Sequence, residues 1–148
     1  MHGALTAAYA VNAPEVYAGP MGRERAEGIA LTEAAFRIAN ERMAAWEEVP
    51  ADSEALYFCE CSRLECREKV PLTRWVYETV RSRPEWFLVV PGHEVPDLEE
   101  VVRRGDMHWI IEKPDVVGDI THGTDPRSAQ PGPERAEADE LADGIEDR

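Results

Sequence analysis

No apolar run in this chain approaches the roughly 18 residues that a membrane-spanning helix requires, so no membrane partner is expected. Lysine is nearly absent: Lys69 and Lys113 are the only two, and every other basic residue is arginine. Nor do the bases gather into a run that would neutralise phosphates, which argues against nucleic acid. Cysteine is scarce as well. Three is an odd number, so a closed disulfide framework is excluded. There is no C-x-x-C for dithiol exchange, no H-E-x-x-H, and no P-C-x-x-C partner for an H-x-E. Met1 to Pro14 lacks the basic flank and cleavage pattern of a secretion signal, which leaves a cytoplasmic location as the expectation.

What is present suits one globular domain of ordinary size. The chain has 148 residues, 43% hydrophobic and 31% charged, with a net charge of −14. The charge is uneven. Met1 to Leu56 has nine acids against four bases, Tyr57 to Lys113 eleven against nine, and Pro114 to Arg148 ten against three. The middle is nearly neutral, while the last stretch carries half of the imbalance. Arginine in place of lysine, with abundant alanine and proline, points to a GC-rich bacterial genome.

The pattern along the chain implies an α+β fold in three parts. Residues 1–20 read as a flexible arm, 21–113 as a helix plus a metal-binding α+β domain, and 114–148 as an acidic, disordered tail. From Met21 to about Glu48, Ile29, Phe36, Ala39, Met43 and Trp46 keep one face of a helix apolar. Arg25, Glu33, Arg37 and Glu41 fall mostly off that stripe. The stripe is expected to dock on its own domain, because a coiled-coil seam sustained for about four heptads is not available. Leu56 to Cys59 and Lys69 to Leu72 read as short strands, with Pro71 placing the second at an edge. Thr73 is a reasonable N-cap for a helix from Arg74 to about Arg83, which takes its apolar contacts from Trp75, Val76, Tyr77 and Val80. Trp86 to Val90 is the best strand, and Pro91-Gly92 ends it in a turn that presents His93. A short helix from Asp97 to Arg104, a turn at Gly105-Asp106 and a strand from His108 to Glu112 follow. Trp75, Trp86 and Trp109 read as core. Ser128 to Arg148 is too rich in Pro, Gly, Ala, Glu and Asp to offset the cost of ordering it.

The chemistry concentrates in Cys59-Glu60-Cys61-Ser62-Arg63-Leu64-Glu65-Cys66. One residue separates Cys59 from Cys61, so in an extended segment both side chains face the same way. The four residues that follow form a loop able to bring Cys66 to the same ion. Thiolates suit zinc, and a structural site needs a fourth ligand. His93 is the candidate, with His108, Glu60, Glu94 and water as rivals. An iron–sulfur cluster usually takes four cysteines, so zinc fits the set better. Buried free thiols and a reversible Cys61–Cys66 pair are the non-metal alternatives.

Three motifs carry a resemblance: C-x-C-x4-C within Phe58 to Cys66, L-T-x3-Y-E-x-V-R-x2-P from Leu72 to Pro84, and F-x-V-x-P-G-H-E from Phe87 to Glu94. Their order resembles that of a group of small uncharacterised bacterial proteins, over the span from about Arg25 to Lys113. The resemblance implies no activity. It does pair the cysteines with the P-G-H-E turn, which favours His93 over His108.

The expected function is a small cytoplasmic protein with a structural zinc site, acting as a non-catalytic binding, adaptor or regulatory module. A protein partner would meet helix 21–48 or the acidic tail. The alternatives are a redox- or metal-responsive sensor working through the zinc thiolates, and a small metalloenzyme with Glu94 as its base.

Overall fold

The computed structural model describes residues 20–46 and 50–148. The expected flexible arm and the helix end near Glu48 lie outside the described residues, except that Pro20 opens the first helix. The chain runs α1 (Pro20–Trp46), β1 (Glu54–Phe58), β2 (Lys69–Thr73), α2 (Arg74–Val80), β3 (Trp86–Val89), β4 (Glu100–Arg104), β5 (Trp109–Glu112), a 3-10 turn (Asp115–Val117), α3 (Gly118–Gly123) and α4 (Arg135–Ile145). The architecture is α+β, with two small antiparallel sheets. Among the described residues, no helix is long and apolar enough to cross a membrane.

β1 and β2 pair as an antiparallel hairpin, Leu56 opposite Pro71 and Phe58 opposite Lys69. The second sheet has the order β3-β5-β4. Beyond β1 the chain continues toward β3, where the Glu60 N–H donates to the Leu88 carbonyl at 2.6 Å. The two sheets are thereby joined edge to edge at the cysteine segment. Thr73 caps α2 as its residue type suggests, accepting from the Val76 N–H at 3.3 Å.

α1 sits in the middle rather than on one side. Ala35, Phe36 and Ala39 pack with Phe58, Phe87, Val89 and Ile111. Ala34 and Ile38 meet Ala138 and Ala142 of α4. Covered from both sides, the helix is buried at every position from Glu33 to Asn40. Glu33 and Arg37, expected off the apolar stripe, are fully enclosed. Buried ionisable groups need polar neighbours. Lys113 lies 2.6 Å from Glu33 and 2.8 Å from Glu99. Arg37 donates to the Pro84 and Thr121 carbonyls and stacks its guanidinium 4.2 Å from the centre of the Phe87 ring.

Three expectations are corrected. Residues 97–104 do not form a helix; Glu100–Arg104 is an edge strand paired to β5, with a bulge between Val101 and Arg103. The branched pair Val101-Val102 suits a pleated ladder, and pairing with β5 overrides the helical spacing. Trp75 is not core, being 66% exposed, because α2 turns it outward while Tyr77 and Val80 face inward.

The stretch 114–148 is likewise not a disordered tail. It contributes α3 and α4, and Ala138, Ala142 and Ile145 are fully buried. The intervening loop is fastened by contacts that composition hides. Gly123 and Gly132 meet backbone to backbone, the Gly132 N–H donating to the Gly123 carbonyl at 2.8 Å; a Cβ on either would fall within about 3 Å of the other. Arg127 forks onto Glu78 at 2.9 and 2.7 Å and reaches Glu41 at 2.9 Å. Arg81 joins Glu41 to Asp125. Alanine faces let α4 approach closely, so little apolar area suffices.

Candidate metal centre

Three cysteines and one histidine converge at the shared end of β1 and β3. Cys59 follows the last residue of β1, its N–H still donating across the hairpin to the Glu68 carbonyl at 3.1 Å. Cys61 lies two residues on, and a turn in which the Cys66 N–H donates to the Arg63 carbonyl at 2.9 Å returns Cys66 to the same place. His93 comes from the other sheet. The turn from Val90 to His93 closes with a 2.9 Å bond from the His93 N–H to the Val90 carbonyl, and Gly92 takes φ +88° there. Proline followed by glycine at the two central positions is the pairing that a type II turn demands.

The ligand atoms of Cys59, Cys61, Cys66 and His93 all lie within 4.8 Å of one another. Nδ1 is the inward atom of His93, 3.5 Å from Cys59 Sγ and 3.8 Å from Cys66 Sγ. Zinc–sulfur bonds of about 2.3 Å and zinc–nitrogen bonds of about 2.0–2.1 Å in a tetrahedron put sulfur and nitrogen about 3.5 Å apart. The donor set therefore fits a tetrahedral metal ion by both chemistry and spacing. Among the described residues this is the one such cluster of His, Cys, Asp and Glu. The rival ligands are elsewhere: His108 belongs to the β4–β5 turn, its carbonyl accepting from the Gly105 N–H at 2.8 Å, and Glu94 is not in the set.

Backbone N–H groups stabilise each sulfur in its anionic form. Val90 donates to Cys59 Sγ at 3.2 Å, Arg63 donates to Cys61, and Glu68 to Cys66. The three thiols do not share protons equally. A hydrogen bond from Cys59 brings the Cys61 thiol down to about 5, while the same bond, reinforced by burial, pushes Cys59 up. Burial also pushes Cys66 up. A cation held by this set would favour the thiolate form of all three.

Glu60, between the two cysteines, plays a part that the sequence reading overlooked. The strand alternation that turns Cys59 and Cys61 toward His93 turns Glu60 the other way, into the core. It is fully buried and accepts three hydrogen bonds: from Leu88 N–H at 2.9 Å, Asn40 Nδ2 at 2.9 Å and Tyr77 Oη at 2.8 Å. Burial raises its pKa, and the three donors oppose that rise. Asn40 also holds Phe58, the residue before Cys59, donating to its carbonyl at 2.9 Å and accepting from its N–H at 2.7 Å. Helix α1, helix α2 and strand β3 thus grip the cysteine segment from behind. The signal was available: a carboxylate at the middle of C-x-C has to face away from the cysteines, and buried carboxylates require donors.

No protein-family model, curated protein or solved structure matches the chain.

Proposed function

We propose that this protein is a non-catalytic binding module whose small fold is held together by a zinc ion on Cys59, Cys61, Cys66 and His93 Nδ1. The observation that carries the proposal is the convergence of four soft or borderline donors from two sheets within 4.8 Å. Four protein ligands make a closed set, the mark of a structural site; a catalytic zinc keeps a position open for water or substrate. The carboxylate between the first two cysteines, Glu60, is committed to the core and has no access to the ion as a base. Reduced thiolates suit a cytoplasmic setting. The motifs that surround the site also support grouping the chain with the small bacterial proteins it resembles.

As the partner surface we favour the acidic outer face of α4, where Glu137, Glu140 and Asp143 are exposed. The central part of α1 is already covered by its own domain. The test of the metal assignment is cobalt(II) substitution. A tetrahedral spectrum with thiolate charge-transfer bands is expected, altered by His93→Gln, and an octahedral spectrum would refute it. A pull-down comparing the full chain with Glu137→Lys/Glu140→Lys tests the surface; undiminished capture of a partner would exclude α4.

A sensor reading is favoured by the mutual closeness of the three sulfurs. Hydrogen peroxide would take two electrons from a pair of thiolates, joining them in a disulfide while the peroxide is reduced to water and the ion leaves. Release of zinc by mild peroxide no faster than from an ordinary structural site would eliminate this reading.

A further inference from the structure

We propose that the metal centre latches helix α4 onto α1, so that metal occupancy controls whether α4 is docked. The proposal rests on the zinc reading above and adds a regulated element to it. Two independent contacts tie α4 to the cysteine loop. One is apolar: Ile145, on the last turn of α4, is fully buried in the same cluster as Cys59, Cys61 and Cys66, with Leu141 packed beside it. The other is polar and falls just past the helix. Arg148 Nη1 donates to the Leu64 carbonyl and, at 3.3 Å, to the Cys66 carbonyl, while Lys69 Nζ donates to the Arg148 carbonyl at 3.0 Å.

Leu64 and Cys66 belong to the loop whose two ends are metal ligands. That loop has one internal backbone bond, from Cys66 to Arg63, so its carbonyls are aimed chiefly by the ligands at its ends. Without the ion, the acceptors that hold Arg148 lose their fixed position. The other attachments of α4 run along α1. At 11 residues it is too short to be stable alone. Away from Ile145 and Leu141, its buried residues against α1 are the small side chains Ala138 and Ala142. Its ion pairs run from Arg42 to Asp139, Asp143 and Glu146, and pairs this accessible add little. Release of α4 would uncover Ala34 and Ile38 on α1 and free an acidic segment.

Coupling of this kind is reciprocal: whatever the ion contributes to docking, docking contributes to holding the ion. The test uses the full chain and the variant Arg148→Gln, both loaded with zinc, with hydrogen exchange followed by mass spectrometry and zinc affinity measured by chelator competition. In the variant, amides of residues 135–148 should exchange about 5-fold faster and zinc should bind about 5-fold more weakly, at the low end of typical couplings. Exchange in residues 86–112 should not change. Unaltered exchange in α4, or faster exchange with unaltered zinc affinity, would overturn the latch while leaving the zinc site standing. A wild-type chain that binds no zinc would remove the metal reading and the latch together.

Discussion

Replacing Glu60 with glutamine tests whether the C-x-C segment is held from the core side. The carboxylate accepts from three donors, with Oε1 on Leu88 N–H and Oε2 on both Asn40 and Tyr77. Glutamine keeps the shape and can keep its oxygen on Leu88. Its amide nitrogen then faces the other two. Tyr77 can rotate its hydroxyl and accept instead. Asn40 cannot turn, because its own oxygen is engaged by the Phe58 N–H and its nitrogen also serves the Phe58 carbonyl. One charge-assisted bond is lost and one buried donor is opposed by another, a cost of about 2–3 kcal/mol after allowing for the buried charge removed. Tyr77→Phe removes a single donor without creating a clash and should cost about 1–1.5 kcal/mol. Urea unfolding of the zinc-loaded proteins would show this as a drop in midpoint of about 1 M or more for Glu60→Gln, with a smaller drop for Tyr77→Phe. Zinc affinity should fall by about tenfold in Glu60→Gln, as when supporting groups behind metal ligands are removed. A Glu60→Gln unfolding free energy within about 0.5 kcal/mol of wild type, or one less affected than that of Tyr77→Phe, would refute the reasoning.

The buried cluster of Glu33, Glu99 and Lys113 predicts a pH signature, since one ammonium serves two carboxylates. Burial raises Glu33, so the folded state retains a proton that the unfolded chain releases above the ordinary carboxylate range. Stability from this group is therefore complete at acidic pH and declines as pH rises toward the folded pKa, by up to about 1.4 kcal/mol per pH unit. Glu33→Gln should abolish that decline and be the more stable protein at neutral pH; parallel urea midpoints for the two proteins across about pH 5 to 8 would contradict this. Gly92→Ala should destabilise by about 1–2 kcal/mol through its positive φ alone, since a Cβ there meets nothing within 4 Å. The same change should weaken zinc binding, because the turn that carries His93 must shift; unchanged affinity by chelator competition would show that the turn does not aim the imidazole.

Strands and turns were legible where local chemistry and tertiary demand agree. Trp86 to Val89 is branched and aromatic, with Phe87 to Val89 buried, and Pro91-Gly92 can scarcely be anything but a turn. The convergence of the cysteines was legible for the same reason: alternation and loop length place Cys59, Cys61 and Cys66 together whatever the rest of the fold does. What could not be read was long-range. Val101 and Val102 become a strand because β5 lies beside them, and no local pattern reveals that neighbour. The order of residues 114–148 depends on Arg81, Glu41 and Glu78, which lie far away in sequence, and on alanines whose value comes from close approach rather than area. Arg37 looked like a solvent-facing residue because its partners are carbonyls of Pro84 and Thr121, which carry no sequence signature.

The account stands on the metal, and elemental analysis of the protein purified without added metal tests it most directly. It predicts about one equivalent of zinc per chain, lost when Cys61 is changed to serine. Less than about a third of an equivalent, with no iron in its place, would contradict it.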